Sequence, residues 1–478
     1  MLIGRKEEKN KLLEAYNSEY SSFVAVYGRR RIGKTFLIRE TFNYDFTFEH
    51  VGLAGANKQE QIKEFCKSLY KSGYKKIGDP DFVYPDNWLD AFFLLELFIM
   101  DLPKGNKKVI FIDDLSWMDT HKSGIVTALE SFWNGWASGR KDILLIVCAS
   151  ATSWIIDNII HNKGGLHNRL NYQIKLNQFT LKECKELAQY KNISMNNSQL
   201  LEFYMIMGGV PYYWQLLDKG LSLSQNIDNI FFSPTGQLKD EFFYLYNSSF
   251  YNPEKYIQLI TAFGKKKVGL TRDELVAICK VPNNGDLTKK LEDLEKCGFI
   301  RRYKQFGKKS KNSLYQLIDN FTLFYFKIME NNSTYEHFWE NQYDSPIINT
   351  WRGFAFERVC LEHIPQIKKK LGISGVLTDV CSWSCVEDPD LGLSGSQIDL
   401  FIVRKDQVIN LCEMKYSSKE YSITKSVDEN IRNKACDLRT ATNTDFSIQK
   451  TMITTYGLHR NSYSDNIQSV VLAEDLFE

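Results

Sequence analysis

The chain has 478 residues. At about 100 to 200 residues per domain this predicts roughly three domains and excludes a lone small module. A composition of 43% hydrophobic, 25% charged and 14% aromatic residues excludes wholesale disorder, while 60 basic against 58 acidic side chains, a net +2, exclude a chain-wide polycation, so any grip on nucleic acid or membrane must come from a local patch.

The N-terminus turns charged at Arg5-Lys6-Glu7-Glu8 and carries no long apolar run, so no secretory signal is expected. The longest apolar stretches, 91–100 and 143–149, fall short of the roughly 18 residues a spanning helix needs. The chain is expected in the cytoplasm with no membrane partner. Its ten cysteines lack a paired CxxC framework, which fits reduced thiols; Cys381 and Cys385 lie four apart with no second pair at zinc-site spacing.

Between residues 23 and 177 short apolar runs, 23–27, 109–112 and 143–148, alternate with helical patterns. Such continuous runs predict strands buried on both faces of a parallel sheet. The first run leads into Gly28-Arg29-Arg30-Arg31-Ile32-Gly33-Lys34-Thr35, a match to GxxxxGK[ST], and a helical segment opens at Phe36. Glycines let successive amides face nucleotide phosphates; Lys34 can reach the β and γ phosphates and the Thr35 hydroxyl can ligate Mg²⁺. Residues Gly28 to Phe36 are thus the expected ATP-binding segment. Arg29, Arg30 and Arg31 are expected to face solvent or a phosphate-rich partner. The second run ends in Asp113-Asp114, with Asp113 expected beside the metal at the tip of a neighbouring strand and Asp114 as general base for water. A pair that merely caps the next helix is the alternative.

Residues 180–217 read as helices, with Leu181, Cys184, Leu187 and Ala188 at helical spacing and Gly208-Gly209 and Pro211 as breakers. From 254 to 317 the pattern runs helix, helix, helix, then strands 299–303 and 313–317 around a basic turn at Gly307, the order of a winged helix. Residues 265–311 hold fourteen Lys and Arg against six Asp and Glu. Lys289, Lys290, at the start of the third helix, and Arg301, Arg302, Lys304, Lys308, Lys309 and Lys311, on or beside the wing, are the expected phosphate contacts, which points to DNA. A protein-docking module with a solvated basic rim is the alternative. An aromatic helical connector follows Asn320, and from Trp351 a further unit begins, with strands at 397–403 and 408–415 and a helix carrying Glu357.

The chain resembles the prokaryotic archaeal-type ATPases, AAA-related and allied to the STAND signalling NTPases. The resemblance rests on Ile3-Gly4-Arg5 with Glu7 and Glu8, the loop 28–35, Phe111-Ile112-Asp113-Asp114 with Trp117, the segments 148–154 and 164–169, and Met207-Gly208-Gly209-Val210-Pro211. It implies a sensor role for Ser150 toward the γ phosphate or the water. It also makes Arg169 a candidate arginine finger or sensor, the finger acting in trans and so in a homo-oligomer; an ordinary surface arginine is the alternative. The family usually has Asp-Glu where this chain has Asp-Asp, a base one methylene shorter. At the C-terminus the order Glu357, Asp399, Glu413-Met414-Lys415 resembles the PD-(D/E)xK restriction-endonuclease-like core, with Ile398-Asp399 in place of Pro-Asp. That resemblance implies Mg²⁺ on Asp399 and Glu413, assistance from Glu357, and a water-orienting Lys415 on the same strand face as Glu413. A charged pair in an inert scaffold is the alternative. Glu183-Cys184-Lys185 is a decoy on a helical pattern.

The expected architecture is therefore α/β: a P-loop NTPase core of the ASCE, AAA-like kind over residues 1–178, a helical lid over 179–250, a winged helix over 251–320, a helical connector over 321–350 and a restriction-endonuclease-like domain over 351–478. The expected function is an ATP-binding, Mg²⁺-dependent ATPase associated with DNA, its nucleotide state coupled to the winged helix and the nuclease-like domain. An ATP-dependent signalling or oligomerisation switch of the STAND kind, without nuclease activity, is the alternative.

Overall fold

A computed structural model describes residues 2–250, 252–303, 306–307, 313–332 and 335–478, and the chain divides into two compact units, 1–177 with 248–251, and 178–247 with 252–478.

The first unit is built on a five-stranded parallel sheet of β1 (Ser22–Tyr27), β2 (Phe48–Val51), β3 (Lys108–Asp113), β4 (Ile143–Ala149) and β5 (Tyr172–Lys175), in the order β2-β3-β4-β1-β5. All seven side chains of β4 are buried. Because successive strand residues point to opposite faces, Ile143, Leu145, Val147 and Ala149 enter one core and Leu144, Ile146 and Cys148 the other. Phe65, Trp88, Phe92 and Phe132, from the helices Lys58–Ser72, Trp88–Met100 and Ile125–Gly135, fill the first core. Leu12 and Ala15 from helix Lys6–Asn17 and Leu37 and Ile38 from helix Lys34–Thr41 fill the second. The expectation that Asp113 ends a strand neighbouring the phosphate-loop strand needs correction: β4 lies between β1 and β3 and pairs with both.

In the second unit the helices Leu181–Tyr190 and Asn197–Met207 each start in a capping box, at Thr180 with Glu183 and at Asn196 with Gln199. Glu183 of the decoy Glu-x-Lys is thereby committed to a helix end. Next come helices Pro253–Gly264, Arg272–Cys279 and Gly285–Lys296, then β6 (Ile300–Tyr303) antiparallel to β7 (Leu314–Leu317), the order anticipated for this stretch. Lys289 and Lys290 sit inside the third of these helices, past its first turn, and not at its start. The helix Pro346–Glu362 runs unbroken across the 350/351 boundary expected from sequence.

The C-terminal sheet is mixed. Its strands are β8 (Thr378–Ser384), β11 (Gln397–Arg404), β12 (Val408–Lys415), β13 (Ser447–Thr454) and β14 (Ser469–Leu472), in the order β14-β13-β12-β11-β8, with a two-residue pair, β9 (Glu387–Asp388) and β10 (Leu393–Ser394), apart from it. β8, β11 and β12 are antiparallel neighbours; β12, β13 and β14 are parallel, with helix Lys425–Thr442 crossing over between β12 and β13. Ile431 and Leu438 of that helix pack on Phe401, Ile409, Leu411 and Met452. Phe306, in the turn between β6 and β7, joins the same core: its ring lies 5.2 Å from Phe401 and its amide donates to the Ser382 carbonyl at 3.0 Å. Among the described residues no helix is long and apolar enough to cross a membrane, and all ten cysteines are free thiols.

Candidate functional site

The phosphate loop joins β1 to helix Lys34–Thr41 and turns at three left-handed or glycine-only positions, Gly28 (φ 149°), Arg31 (φ 65°) and Gly33 (φ 91°). At Gly28 a Cβ would stand 2.4 Å from the Leu176 carbonyl oxygen, so only glycine lets the loop leave the sheet here. At Gly33 a Cβ would meet nothing within 4 Å, which leaves the mouth of the loop open. Lys34 is buried and folds back over the loop, its Nζ donating to the Gly28 carbonyl at 2.9 Å and the Arg29 carbonyl at 3.0 Å. Arg29 is only 6% exposed, contrary to the expectation of a solvent-facing side chain; Arg30 and Arg31 are half-buried. Ile32 is anchored in the core and Phe36 is exposed.

Across the width of β4, Thr35 meets Asp113. The Thr35 Oγ1 donates to Asp113 Oδ2 at 2.6 Å, and Asp113 Oδ1 accepts from the Asp114 amide at 2.9 Å. A hydroxyl and a carboxylate turned toward each other beside an open glycine mouth are hard oxygen ligands, and they fit Mg²⁺. Asp114 adopts a left-handed conformation (φ 48°) that swings its side chain off the strand line. Its carboxylate accepts a short hydrogen bond from the Ser150 hydroxyl, at the end of β4. Burial, then the neighbouring Asp113 charge, push the Asp114 carboxyl above its ordinary value, against the pull of Ser150, Lys34 and Arg30. Arg169 is exposed, at the end of a segment whose Gly165 packs so closely on Glu130 that a Cβ would stand 2.0 Å from its carboxylate.

Arg5, in the N-terminal motif, donates to the Asn177 carbonyl at 2.6 Å and pairs with Glu8 at 3.4 Å. It ties the start of the unit to the segment following β5.

In the second unit, the strand pairing of Leu400 with Cys412 places Asp399 and Glu413 one step further along the same two strands. Lys415 Nζ lies 2.9 Å from Glu413 Oε1, which puts the two side chains on one face as strand periodicity predicts. Two cations that the sequence reading did not single out complete the cluster. Lys434, from helix Lys425–Thr442, donates to Glu413 Oε2 at 2.8 Å. Lys267, between helix Pro253–Gly264 and the Leu270–Tyr315 bridge, reaches Glu357 Oε2 at 2.6 Å and Asp399 Oδ2 at 3.4 Å. No local signal marks either, because each acts on residues far away in the chain. Burial raises the Glu413 carboxyl, but Lys434 and Lys415 outweigh it and the net shift is downward; Asp399 goes the same way under Lys267, Gln397 and Lys434. Glu357 is held above its ordinary value by burial, with Asp399 adding to the rise and Lys267 opposing it.

Of the expected phosphate contacts, Arg302 is exposed, and Lys289 is largely exposed while pairing with Asp293 at 3.6 Å. Lys290 is buried and paired with Asp286; Arg301 is half-buried and donates to Gln316 Oε1 at 2.8 Å. Lys304, Lys308, Lys309 and Lys311 lie outside the described residues.

Residues 2–217 match the family model described as an ATPase domain predominantly from Archaea, and this segment is an ATPase domain of the archaeal type. An uncharacterised protein of Methanocaldococcus jannaschii is 27% identical over 386 residues, which cover 77% of this chain and 78% of that protein. Among solved structures, a Walker-type ATPase of Pyrococcus abyssi is similar at 17% identity and a TM-score of 0.49, over 68% of this chain and 96% of its own. The ORC2 protein of Aeropyrum pernix, solved with ADPNP and ADP, is similar at 12% identity and a TM-score of 0.41, over 70% of this chain and 94% of its own.

Proposed function

We propose that the first unit binds ATP with Mg²⁺ and hydrolyses it slowly, and that the nucleotide state governs a DNA-associated middle domain and a nuclease-like C-terminal domain. The observation that carries this reading is the Thr35–Asp113 hydrogen bond beside a buried Lys34. Lys34 now spends its ammonium on two loop carbonyls, contacts that phosphate oxygens can replace with stronger charge-assisted ones. Thr35 and Asp113 would hold Mg²⁺, which would neutralise charge on the β and γ phosphates. Asp114 takes a proton from the attacking water as its oxygen bonds to the γ phosphorus and the bond to the bridging oxygen breaks, releasing ADP. Ser150 orients the Asp114 carboxylate, and Arg169, exposed, is available to a neighbouring copy in a homo-oligomer.

The local surplus of cations over residues 265–311 supports DNA as the partner of the middle domain. Asp399 and Glu413 as Mg²⁺ ligands, with Glu357 assisting and Lys415 orienting water, form the nuclease-like centre.

The deciding experiment is a Mg²⁺-dependent ATPase assay with and without DNA, beside ATP titrations of Lys34→Ala. Loss of ATP affinity in that variant is expected, and unchanged affinity would contradict the reading. A salt-dependent gel shift lost on replacing Arg302, Lys308 and Lys309 supports DNA. Plasmid cleavage with Mg²⁺ or Mn²⁺, lost in Asp399→Ala, supports the nuclease. ATP binding with neither effect favours a signalling switch.

A further inference from the structure

The cluster around Asp399 is electrically closed. Three carboxylates, Glu357, Asp399 and Glu413, face three ammonium groups, Lys267, Lys415 and Lys434, at contact distances from 2.6 to 3.4 Å. Glu413 is in direct contact with two of these cations, Lys415 and Lys434. Glu357 and Asp399 share the third, Lys267.

The origin of Lys267 sets it apart. Lys415 and Lys434 belong to β12 and to the helix that follows it. Lys267 comes from the middle domain, some way before β6, in the run Lys265-Lys266-Lys267. Its place is fixed by its own backbone: the Lys267 carbonyl accepts from the Gln316 amide Nε2 at 2.7 Å and from the Arg358 guanidinium at 2.7 Å. Its ammonium also lies 5.0 Å from the centre of the Phe354 ring. A lysine held at its peptide and at its tip has a defined position, unlike a surface side chain that happens to brush a carboxylate.

A divalent ion seeks the same oxygens. An ammonium and a magnesium ion both draw carboxylates, but with Lys267 in place the three negative charges are already matched, and Arg358 adds a further positive charge beside them. A doubly charged ion entering then meets net repulsion. With Lys267 withdrawn, that excess positive charge is gone and two carboxylates, Glu357 and Asp399, are freed to take the ion.

We propose that Lys267 is a guard on the nuclease-like centre: its ammonium occupies the cation position between Glu357 and Asp399, and a divalent ion binds there only when the middle domain takes Lys267 away. This rests on reading Glu357, Asp399 and Glu413 as a metal centre, and it adds a control to that centre which the motif alone does not contain.

The test is Mn²⁺ binding to the full-length chain without nucleotide, followed by titration calorimetry and by the loss of the free-ion paramagnetic resonance signal. Wild type is compared with Lys267→Ala, Lys267→Met, Asp399→Asn and the double variant Lys267→Met with Asp399→Asn. Methionine keeps an unbranched stem of similar length without the charge, where alanine removes both. The expected result is Mn²⁺ affinity at least roughly tenfold higher in the Lys267 variants than in wild type, with the gain erased by Asp399→Asn. Equal affinity in wild type and Lys267→Met, together with a loss in Asp399→Asn, overturns the guard and leaves the metal centre standing. Absence of any Asp399-dependent Mn²⁺ binding in all variants overturns the metal centre and the guard together.

Discussion

Asp114 combines a raised proton affinity with a hydroxyl partner, and the two oppose each other. Burial and Asp113 lift its pKa, while the Ser150 hydrogen bond lowers it. A general base works only when deprotonated, so hydrolysis is expected to fall on the acid side at a higher pH than an ordinary carboxylate would give. Ser150→Ala removes a lowering influence, so the acid limb of the kcat profile is expected to move further up in pH; a limb that stays put or moves down would place Ser150 elsewhere in the chemistry. Asp114→Asn is expected to lower kcat by about 100-fold or more with ATP affinity kept, measured by single-turnover hydrolysis and equilibrium binding. At this scale the sequence was informative where chemistry is local. Lys34 and Thr35 follow from a loop of eight residues flanked by a strand and a helix, and Asp113 from an apolar run that ends in acid. Lys267 stayed hidden because its partners, Glu357 and Asp399, are 90 and 132 positions away and no periodicity links them.

Elements became legible in proportion to how apolar and continuous they are. β1, β3 and β4 stand out because they are buried on both faces. β2 and β5 did not, since each has four residues and carries polar ones, Glu49 and His50 in one, Gln173 and Lys175 in the other. Their sequence signal is too short to separate from loop. Strand order was likewise out of reach, because adjacency is set by how crossovers fold back and not by any one run. The bond between neighbouring elements at Gly28 gives a test. Gly28→Ala forces a Cβ to 2.4 Å from the Leu176 carbonyl at a φ of 149°, so β5 and the phosphate loop must separate. We expect a loss of about 2 kcal/mol or more, read as a fall in melting temperature with weakened ATP binding.

For the molecule as a whole, two buried histidines tie stability to pH, one in each unit. His50 and His363 are both lowered to about 4, chiefly by burial. The unfolded chain therefore binds more protons than the folded one between the ordinary histidine value near 6.5 and about 4, so stability falls as pH drops through that window. Each histidine contributes on the order of 3 kcal/mol across it. His363→Gln is expected to flatten the acid slope of unfolding free energy, measured by denaturant titration at several pH values. In the second unit, Arg352 and Glu202, each with a side chain only 4% exposed, bind at 2.6 Å and join helix Asn197–Met207 to helix Pro346–Glu362. Glu202→Ala strands a buried guanidinium and is expected to cost about 3 to 5 kcal/mol, seen in the denaturation midpoint of that unit. Overall charge, near zero, gave no hint of these pairs or of the cationic concentration in 265–311.

The position of β4 has a mechanical corollary. With one strand inserted between β1 and β3, their backbones stand about 10 Å apart, two interstrand spacings, and the phosphate loop carries Thr35, in helix Lys34–Thr41, over that gap to Asp113. That touch acts as a caliper closed across three strands. The side chains of β4 enter the cores above and below the sheet, so an oversized residue at Ile146, which shares a core with Leu37 and Ile38, displaces the helix that carries Thr35 and weakens triphosphate capture from a distance, without blocking the pocket where the triphosphate sits.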